Sequence, residues 1–103
     1  MDIFDYDNVL QGYEGMLHGG VIASLLDGAM THCLFAHGHV GVTATLNVRF
    51  HHPVLARLPV TVRARITESF HVLSHLAADL VQDGQVKADA TAKFMDTTLK
   101  QAS

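Results

Sequence analysis

Two adjacent glycines, Gly19 and Gly20, stand directly before a long apolar run in the chain. The first N–H groups of a helix have no partner within the helix, and they lie at the positive end of its dipole. If a helix begins at this pair, those donors can hold a carbonyl oxygen or a developing oxyanion. The alternative is that glycine only permits a tight turn into the helix. Gly19 and Gly20 are therefore candidates for an oxyanion site.

Asp27 is a carboxylate placed inside the same apolar run. A charged group midway along a mostly apolar helix must reach solvent or be compensated by partners. On a helix it would lie at the flank of the apolar stripe. Three interpretations stay open: a solvated edge residue, a bond to a neighbouring strand, or a catalytic carboxylate.

The spacing of His18 and Asp27 bears on where such a site would lie. They are nine residues apart, which on an ideal helix is roughly 13 Å along the axis and about half a turn around it. The two side chains of one chain cannot reach one small substrate group. If both are functional, a two-fold related subunit must supply the second, and the site lies at a dimer interface.

The eight histidines do not predict a metal site. No Cys/His spacing is that of structural zinc, and His51 and His52, as neighbours on a strand, would point to opposite faces. Cys33 falls on the apolar helix face, where it is expected to be core. We expect no metal and no cofactor.

A single helix is predicted from Gly20 to about Ala36, with Gly38 as its stop. Its apolar face comprises Val21, Ile22, Leu25, Leu26, Ala29, Met30, Cys33 and Leu34. Ala23, Phe35 and Ala36 widen that face, which predicts a helix largely enclosed by other structure.

Four strands are predicted after the helix, where the apolar period changes to two. They run over 42–51, 60–67, 72–82 and 86–94, with a tight turn at Asp83 and Gly84, and form a meander. A short strand within 3–10 would add to the sheet. In the first strand, Val42, Ala44, Leu46, Val48 and Phe50 are predicted on one face, and Thr43, Thr45, Asn47, Arg49 and His51 on the other. The fold class is α+β, an antiparallel sheet curled around one apolar helix.

Composition limits the function classes. The 103 residues predict one domain, 49% are hydrophobic against 17% charged, and the net charge is -3. We expect a homo-oligomer, because a chain this rich in hydrophobic residues is expected to bury some apolar surface against another subunit. Nucleic acid is disfavoured, since Lys and Arg are scattered singly. No uninterrupted apolar run is long enough to cross a bilayer, and the lone cysteine without a leader sequence predicts a cytoplasmic location.

The stretches "GYEGMLHGGVIASLLDGAM" and "GVTATLNVRFHHPV" resemble the hotdog-fold acyl-CoA thioesterases of the PaaI-like branch of the 4-hydroxybenzoyl-CoA thioesterase superfamily. The specific part is the HGG triplet with an acid nine residues later, followed by a strand of the type "TxxLNVRFxxPV". The resemblance covers nearly the whole chain and implies a sheet wrapped around a central helix. It also implies a homodimer or a homotetramer with active sites across the interface.

The resemblance implies a role for each motif residue. Gly19 N–H would polarise the thioester carbonyl, and His18 would shape and orient that end of the site. Asp27 of the partner subunit would attack or activate water, and the two roles cannot be separated by sequence. Thr43 matches a hydroxyl residue that holds the water in many relatives.

Five further residues are candidates for binding the substrate: Gly20, Asn47, Arg49, His51 and His52. Arg49, the two histidines and also Arg57 are candidates for the phosphates of CoA, although a solvated strand end explains them equally well. The chain departs from the family pattern in two ways. Gly12 stands where several relatives carry an amide, and the strand region before the motif is short.

Hydrolysis of an acyl-CoA thioester is the function that these residues favour. A non-catalytic hotdog module that binds acyl-CoA is the alternative, since one fold hosts several functions. The sequence does not determine the acyl group or the choice between dimer and tetramer.

Overall fold

The computed structural model describes residues 3–4, 11–13 and 16–97, with side chains from residue 16 onward. Its elements are β1 (Ile3–Phe4), β2 (Gln11–Tyr13), β3 (Met16–Leu17), α1 (Gly19–Ala36), β4 (Gly41–Phe50), β5 (Val60–Phe70), β6 (Leu73–Gln82) and β7 (Gln85–Asp96). The predicted helix is confirmed, and the four long strands lie where the alternation placed them. Of the strand predicted within 3–10, residues 3–4 form β1, and 5–10 lie outside the described residues.

The sheet is antiparallel with the strand order β1-β5-β6-β7-β4, and β2 pairs with β3. The prediction of a simple meander is wrong for β4, which pairs with β7 instead of β5. The connection 51–59 contains Pro53 and Pro59 and is too long for a hairpin. It carries the chain from β4, at one edge of the sheet, to β5, which lies next to the other edge strand, β1. As a result β4 is an edge strand of the described sheet.

The core lies between one face of α1 and one face of the sheet, called here the inner face. Seven helix residues are buried: Ile22, Leu25, Leu26, Ala29, Met30, Cys33 and Leu34. Small residues of β7, Ala88, Ala90 and Ala92, let the helix approach closely, and Phe94 fills the end of the layer. The prediction of a largely enclosed helix is wrong, because Phe35 is 66% exposed. A single sheet covers only one side of a helix.

A β-bulge in β4 changes which residues face the helix. Thr43 pairs with Phe94, and the next paired residue is Thr45, opposite Lys93, so Ala44 is the extra residue. Because of this extra residue, the side chains of β4 that precede the bulge lie on the opposite face of the sheet from the one predicted. Thr43 therefore shares the inner face with Phe94, whereas Val42 lies opposite Met95 on the outer face and is 57% exposed.

Two predicted turns are confirmed. Gly38 ends α1 with φ 87°, and its N–H donates to the carbonyl of Phe35. Asp83 and Gly84 both have positive φ, 55° and 73°, as a tight hairpin between β6 and β7 requires.

By length and composition α1 would be long and apolar enough to span a membrane. One such helix is weak evidence of a membrane span, because the core helix of a globular domain meets the same criterion. Here the apolar face of α1 packs on the sheet.

Candidate active site

The start of α1 is held by the segment before it and by the connection 51–59. Leu17 N–H donates to the Val54 carbonyl over 2.9 Å. The buried side chain of Gln82 in turn holds both the N–H and the carbonyl of Leu55, each over 2.8 Å. These bonds fix the position at which the helix begins.

His18 is the N-cap of α1, with an extended backbone (φ -67°, ψ 144°). Its Nδ1 accepts a hydrogen bond from the Gly20 N–H over 2.9 Å. A ring nitrogen that accepts carries no proton, so the neutral ring has its proton on Nε2. His18 therefore presents a donor away from the helix, and the Gly20 donor is already used.

The Gly19 N–H has no hydrogen-bond partner among the described residues. It lies in the first turn of α1, where the helix dipole favours an electronegative atom. Beside it lies the Phe50 ring: a Cβ built on Gly19 would be 3.5 Å from Phe50 Cζ. As far as the structure describes the chain, Gly19 thus has an unbonded backbone N–H next to an aromatic ring.

An open groove of about 360 Å³ includes this donor. Its lining residues are Met16, Leu17, Gly19, Ile22, Phe50, His51, His52, Pro53 and Val54. Most of these side chains are apolar, which suits a neutral organic group near a single polarising donor.

Asp27 is half-buried on the flank of α1 and accepts a hydrogen bond from Thr43 over 2.8 Å, from Oγ1 to Oδ1. Of the three interpretations left open by the sequence, the bond to a neighbouring strand is present. No other hydrogen bond to this carboxylate is seen among the described residues. The bond orients the carboxylate and leaves Oδ2 able to accept a proton.

Gly19 and Asp27 remain apart within one chain. The helix runs unbroken from Gly19 to Ala36, so their eight-residue separation is roughly 12 Å along its axis. The structure brings Thr43 to Asp27 and Phe50 to Gly19, but it does not bring the two pairs together. Within one chain, Gly19 with Phe50 and Asp27 with Thr43 therefore lie in two separate places.

The other candidate binding residues divide between two places. His51 and His52 line the groove at Gly19. Asn47 and Arg49 instead pair with Thr91 and Asp89 on the outer face of the sheet, away from α1.

Asp89 is a residue that sequence reasoning missed. Its carboxylate accepts from Arg49 Nε and from His51 Nε2, each over 2.8 Å. Burial alone would raise the pKa of Asp89, but the hydrogen bonds from His51 and Arg49 and their charges outweigh it and hold the pKa below its usual value. Asp89 could have been identified as a partner of Arg49 only from the pairing of β4 with β7, which places the two residues opposite each other. The predicted meander did not contain that pairing.

Cys33 is buried in the core, as predicted. Within the described ranges, His, Cys, Asp and Glu side chains form no group of three that could hold a metal ion. His37 bonds to the Cys33 carbonyl over 2.8 Å, and His39 bonds to Asp96 over 2.9 Å.

The chain is similar to known proteins in sequence and in fold. A family model described as the thioesterase superfamily matches residues 14–88. The acyl-coenzyme A thioesterase THEM4 of Mus musculus is 28% identical over 88 residues, which are 84% of this chain and 38% of that protein. The protein of the same name from Bos taurus is 40% identical over 52 residues, 50% of this chain and 21% of its own length. The chain thus spans well under half the length of these relatives.

Solved structures share the fold. A thioesterase superfamily protein superposes with a TM-score of 0.86 at 30% identity, over 91% of this chain and 47% of that chain. A hypothetical thioesterase from Streptococcus pneumoniae, solved with coenzyme A, gives a TM-score of 0.88 at 19% identity over 92% of this chain and 77% of its own. Two other structures of that protein carry alanine in place of an aspartate and of a threonine.

Proposed function

The chain belongs to the thioesterase superfamily, and on this premise we propose that it hydrolyses an acyl-CoA thioester to the free acid and CoA. Its antiparallel sheet packed on one helix is the hotdog fold that the sequence implied. The observation that carries the proposal is the pair of half-sites: a free Gly19 N–H, and an Asp27 carboxylate oriented by Thr43.

The mechanism assigns one task to each half-site. Gly19 N–H donates to the thioester carbonyl oxygen, and this bond strengthens as the oxygen becomes an oxyanion. Thr43 Oγ1 and Asp27 Oδ2 hold a water, and Asp27 takes its proton as the hydroxide adds to the carbonyl carbon. Collapse of the tetrahedral intermediate breaks the C–S bond, and the CoA sulfur leaves with the proton held by Asp27. The aspartate and threonine replaced in the Streptococcus pneumoniae protein lie the same number of positions apart as Asp27 and Thr43.

The two half-sites come from different subunits of a homodimer. β4 pairs with β7 on one side only, and its side chains Val42, Leu46 and Phe50 are exposed. An exposed apolar edge strand favours pairing with another strand. A second copy paired along β4 buries this edge and can set the partner's Asp27 against Gly19. A tetramer of such dimers, as in the PaaI-like branch, is compatible with the same pairing.

CoA lies with its thioester at Gly19 and extends outward from the groove, and the exposed side chains of His51 and His52 are the candidates for its phosphates. Arg49 lies on the outer face of the sheet. It affects binding of the anionic part of the substrate only indirectly, because Arg49 and His51 both donate to the Asp89 carboxylate. The buried, unpaired Cys33 suits a reducing compartment, and the cytoplasm is the location proposed.

Replacing Asp27 tests the proposal directly. Asp27→Asn keeps the shape of the side chain and the bond to Thr43 but cannot accept a proton from water, so kcat on an acyl-CoA falls about 100-fold or more. The matched control is Asp83→Asn, which changes an exposed carboxylate in a turn that also accepts Asn-Gly. Release of CoA thiol is the measurement. Equal activity in Asp27→Asn and the wild type would rule out the catalytic role.

A binding module without hydrolysis gives a different result in the same series. CoA thioesters would raise the Tm of the wild type while no thiol is released.

A further inference from the structure

Phe50 occupies an unusual place for a large apolar side chain. It lies on the inner face at the end of β4, opposite Ala88, yet it is 54% exposed, whereas Ala88 is fully buried. An exposed ring contributes little to the core of this chain. Its Cζ and Cε1 would lie 3.5 and 3.7 Å from a Cβ on Gly19, so the ring stands directly beside the free donor.

The groove around Phe50 has the character of an acyl subsite. Met16, Leu17, Ile22 and Val54 provide its other apolar side chains. Its volume of about 360 Å³ is at the lower end of the range for ligand sites, about 300–1,000 Å³. Among the lining residues the ionisable side chains are His51 and His52, and His51 already binds Asp89.

A thioester bound at Gly19 must direct one of its two arms into this groove. The pantetheine arm contains two amides, and enclosing them among apolar walls without partners costs free energy. The acyl arm of a simple fatty acid has no polar group beyond the carbonyl. The apolar groove therefore favours the acyl arm, and the CoA arm runs outward.

We propose that this groove binds the acyl group, that it selects short uncharged acyl chains, and that the Phe50 ring is the wall that limits their length. The inference rests on the proposed hydrolysis and goes further by naming the substrate class and a specificity-determining residue. A carboxylated acyl group is disfavoured because no lysine or arginine side chain lines the groove as described.

The test compares kcat/KM across hexanoyl-CoA, dodecanoyl-CoA and succinyl-CoA. The wild type prefers hexanoyl-CoA to both others. Phe50→Ala removes the wall and raises the ratio of kcat/KM for dodecanoyl-CoA to that for hexanoyl-CoA about tenfold. Inhibition by free CoA stays at the wild-type level, because the CoA arm does not contact the ring.

Two further variants make the test decisive. Phe50→Leu keeps an apolar side chain and raises the ratio of kcat/KM for dodecanoyl-CoA to that for hexanoyl-CoA by less than Phe50→Ala does. It tests the role of the ring in case Phe50→Ala alters folding or assembly. Phe35→Ala removes an equally large exposed ring at the other end of α1 and leaves the ratio unchanged.

The outcomes separate this inference from the proposed function. A wild type that hydrolyses acyl-CoA, with both Phe50 variants showing the wild-type ratio, overturns the role of Phe50 and leaves the proposed function standing. An equal loss on all three substrates also overturns a role in specificity. A wild type that hydrolyses none of them overturns both.

Discussion

Two neighbouring backbone N–H groups at the start of α1 have different partners. The Gly20 N–H donates to His18 Nδ1, whereas the Gly19 N–H has no partner among the described residues. The sequence predicted both glycines as oxyanion candidates, since it places them together before the apolar run. It could not distinguish them, because that distinction depends on the rotamer of His18. The structure favours Gly19 as the donor and leaves Gly20 to the cap.

Gly19→Ala is expected to separate stability from activity. A Cβ at this position makes only ordinary contact with Phe50, at 3.5 Å, and alanine is a better helix residue than glycine. The Tm is therefore unchanged or higher. The new methyl group stands in the groove beside the free donor and displaces the thioester, so kcat/KM falls about 100-fold.

The stability control for Gly19→Ala is Gly28→Ala, where the new Cβ has no neighbouring heavy atom within 4 Å. It should raise the free energy of unfolding by about 0.5–1 kcal/mol. Thermal melts and a thiol-release assay are the measurements. A Gly19→Ala variant with full activity would contradict the assignment of this donor.

At the scale of elements, the bulge in β4 determines that Thr43 lies on the face of the sheet toward Asp27. Strict alternation placed Thr43 on the face with Asn47 and Arg49, away from the helix. The extra residue, Ala44, turns Thr43 toward Asp27 instead. Alternation predicted the existence of the strand and the faces beyond the bulge, because those follow from which side chains are apolar. It could not predict the bulge, which inserts one residue into the pairing with β7 and depends on that partner strand.

The pairing of β4 with β7 should depend on pH through Asp89. Its pKa is lowered in the folded state, so it stabilises the fold at pH values above the ordinary carboxyl pKa, about 3.9. This contribution is lost as the pH falls through the folded-state pKa. Asp89→Asn therefore lowers the Tm at pH 7, and the difference from the wild type shrinks as the pH falls below the ordinary carboxyl pKa and through the lowered pKa of Asp89.

Thermal melts of the wild type and Asp89→Asn at a series of pH values test this dependence. Asp83→Asn, on an exposed turn, is the control for replacing any carboxylate. A Tm difference that stays constant as the pH falls well below the ordinary carboxyl pKa would show that the stabilisation by Asp89 does not depend on its ionised carboxylate.

At the scale of the whole molecule, the length of α1 keeps Gly19 and Asp27 of one chain too far apart to act on the same thioester. The spacing of His18 and Asp27 predicted that the two residues of one chain cannot serve one site, since helix geometry needs no tertiary information, and the family resemblance then implied two half-sites. The sequence did not predict which edge a partner would use, because the meander wrongly placed β4 beside β5. The observed strand order leaves β4 at an edge with exposed apolar side chains. That edge is the proposed dimer interface.

A mixed dimer tests the shared site. Asp27→Ala and Gly19→Ala each disable one half-site and leave the other intact. If each site combines Gly19 of one subunit with Asp27 of the other, a heterodimer of the two variants has one intact site and one doubly disabled site. Co-refolding equal amounts then restores about one quarter of the wild-type activity, because about half of the dimers are mixed and each has one working site. Refolding each variant alone is the control. If each site lay within one chain, every site in the mixture would carry a disabled half, and activity would stay at the level of the separate variants.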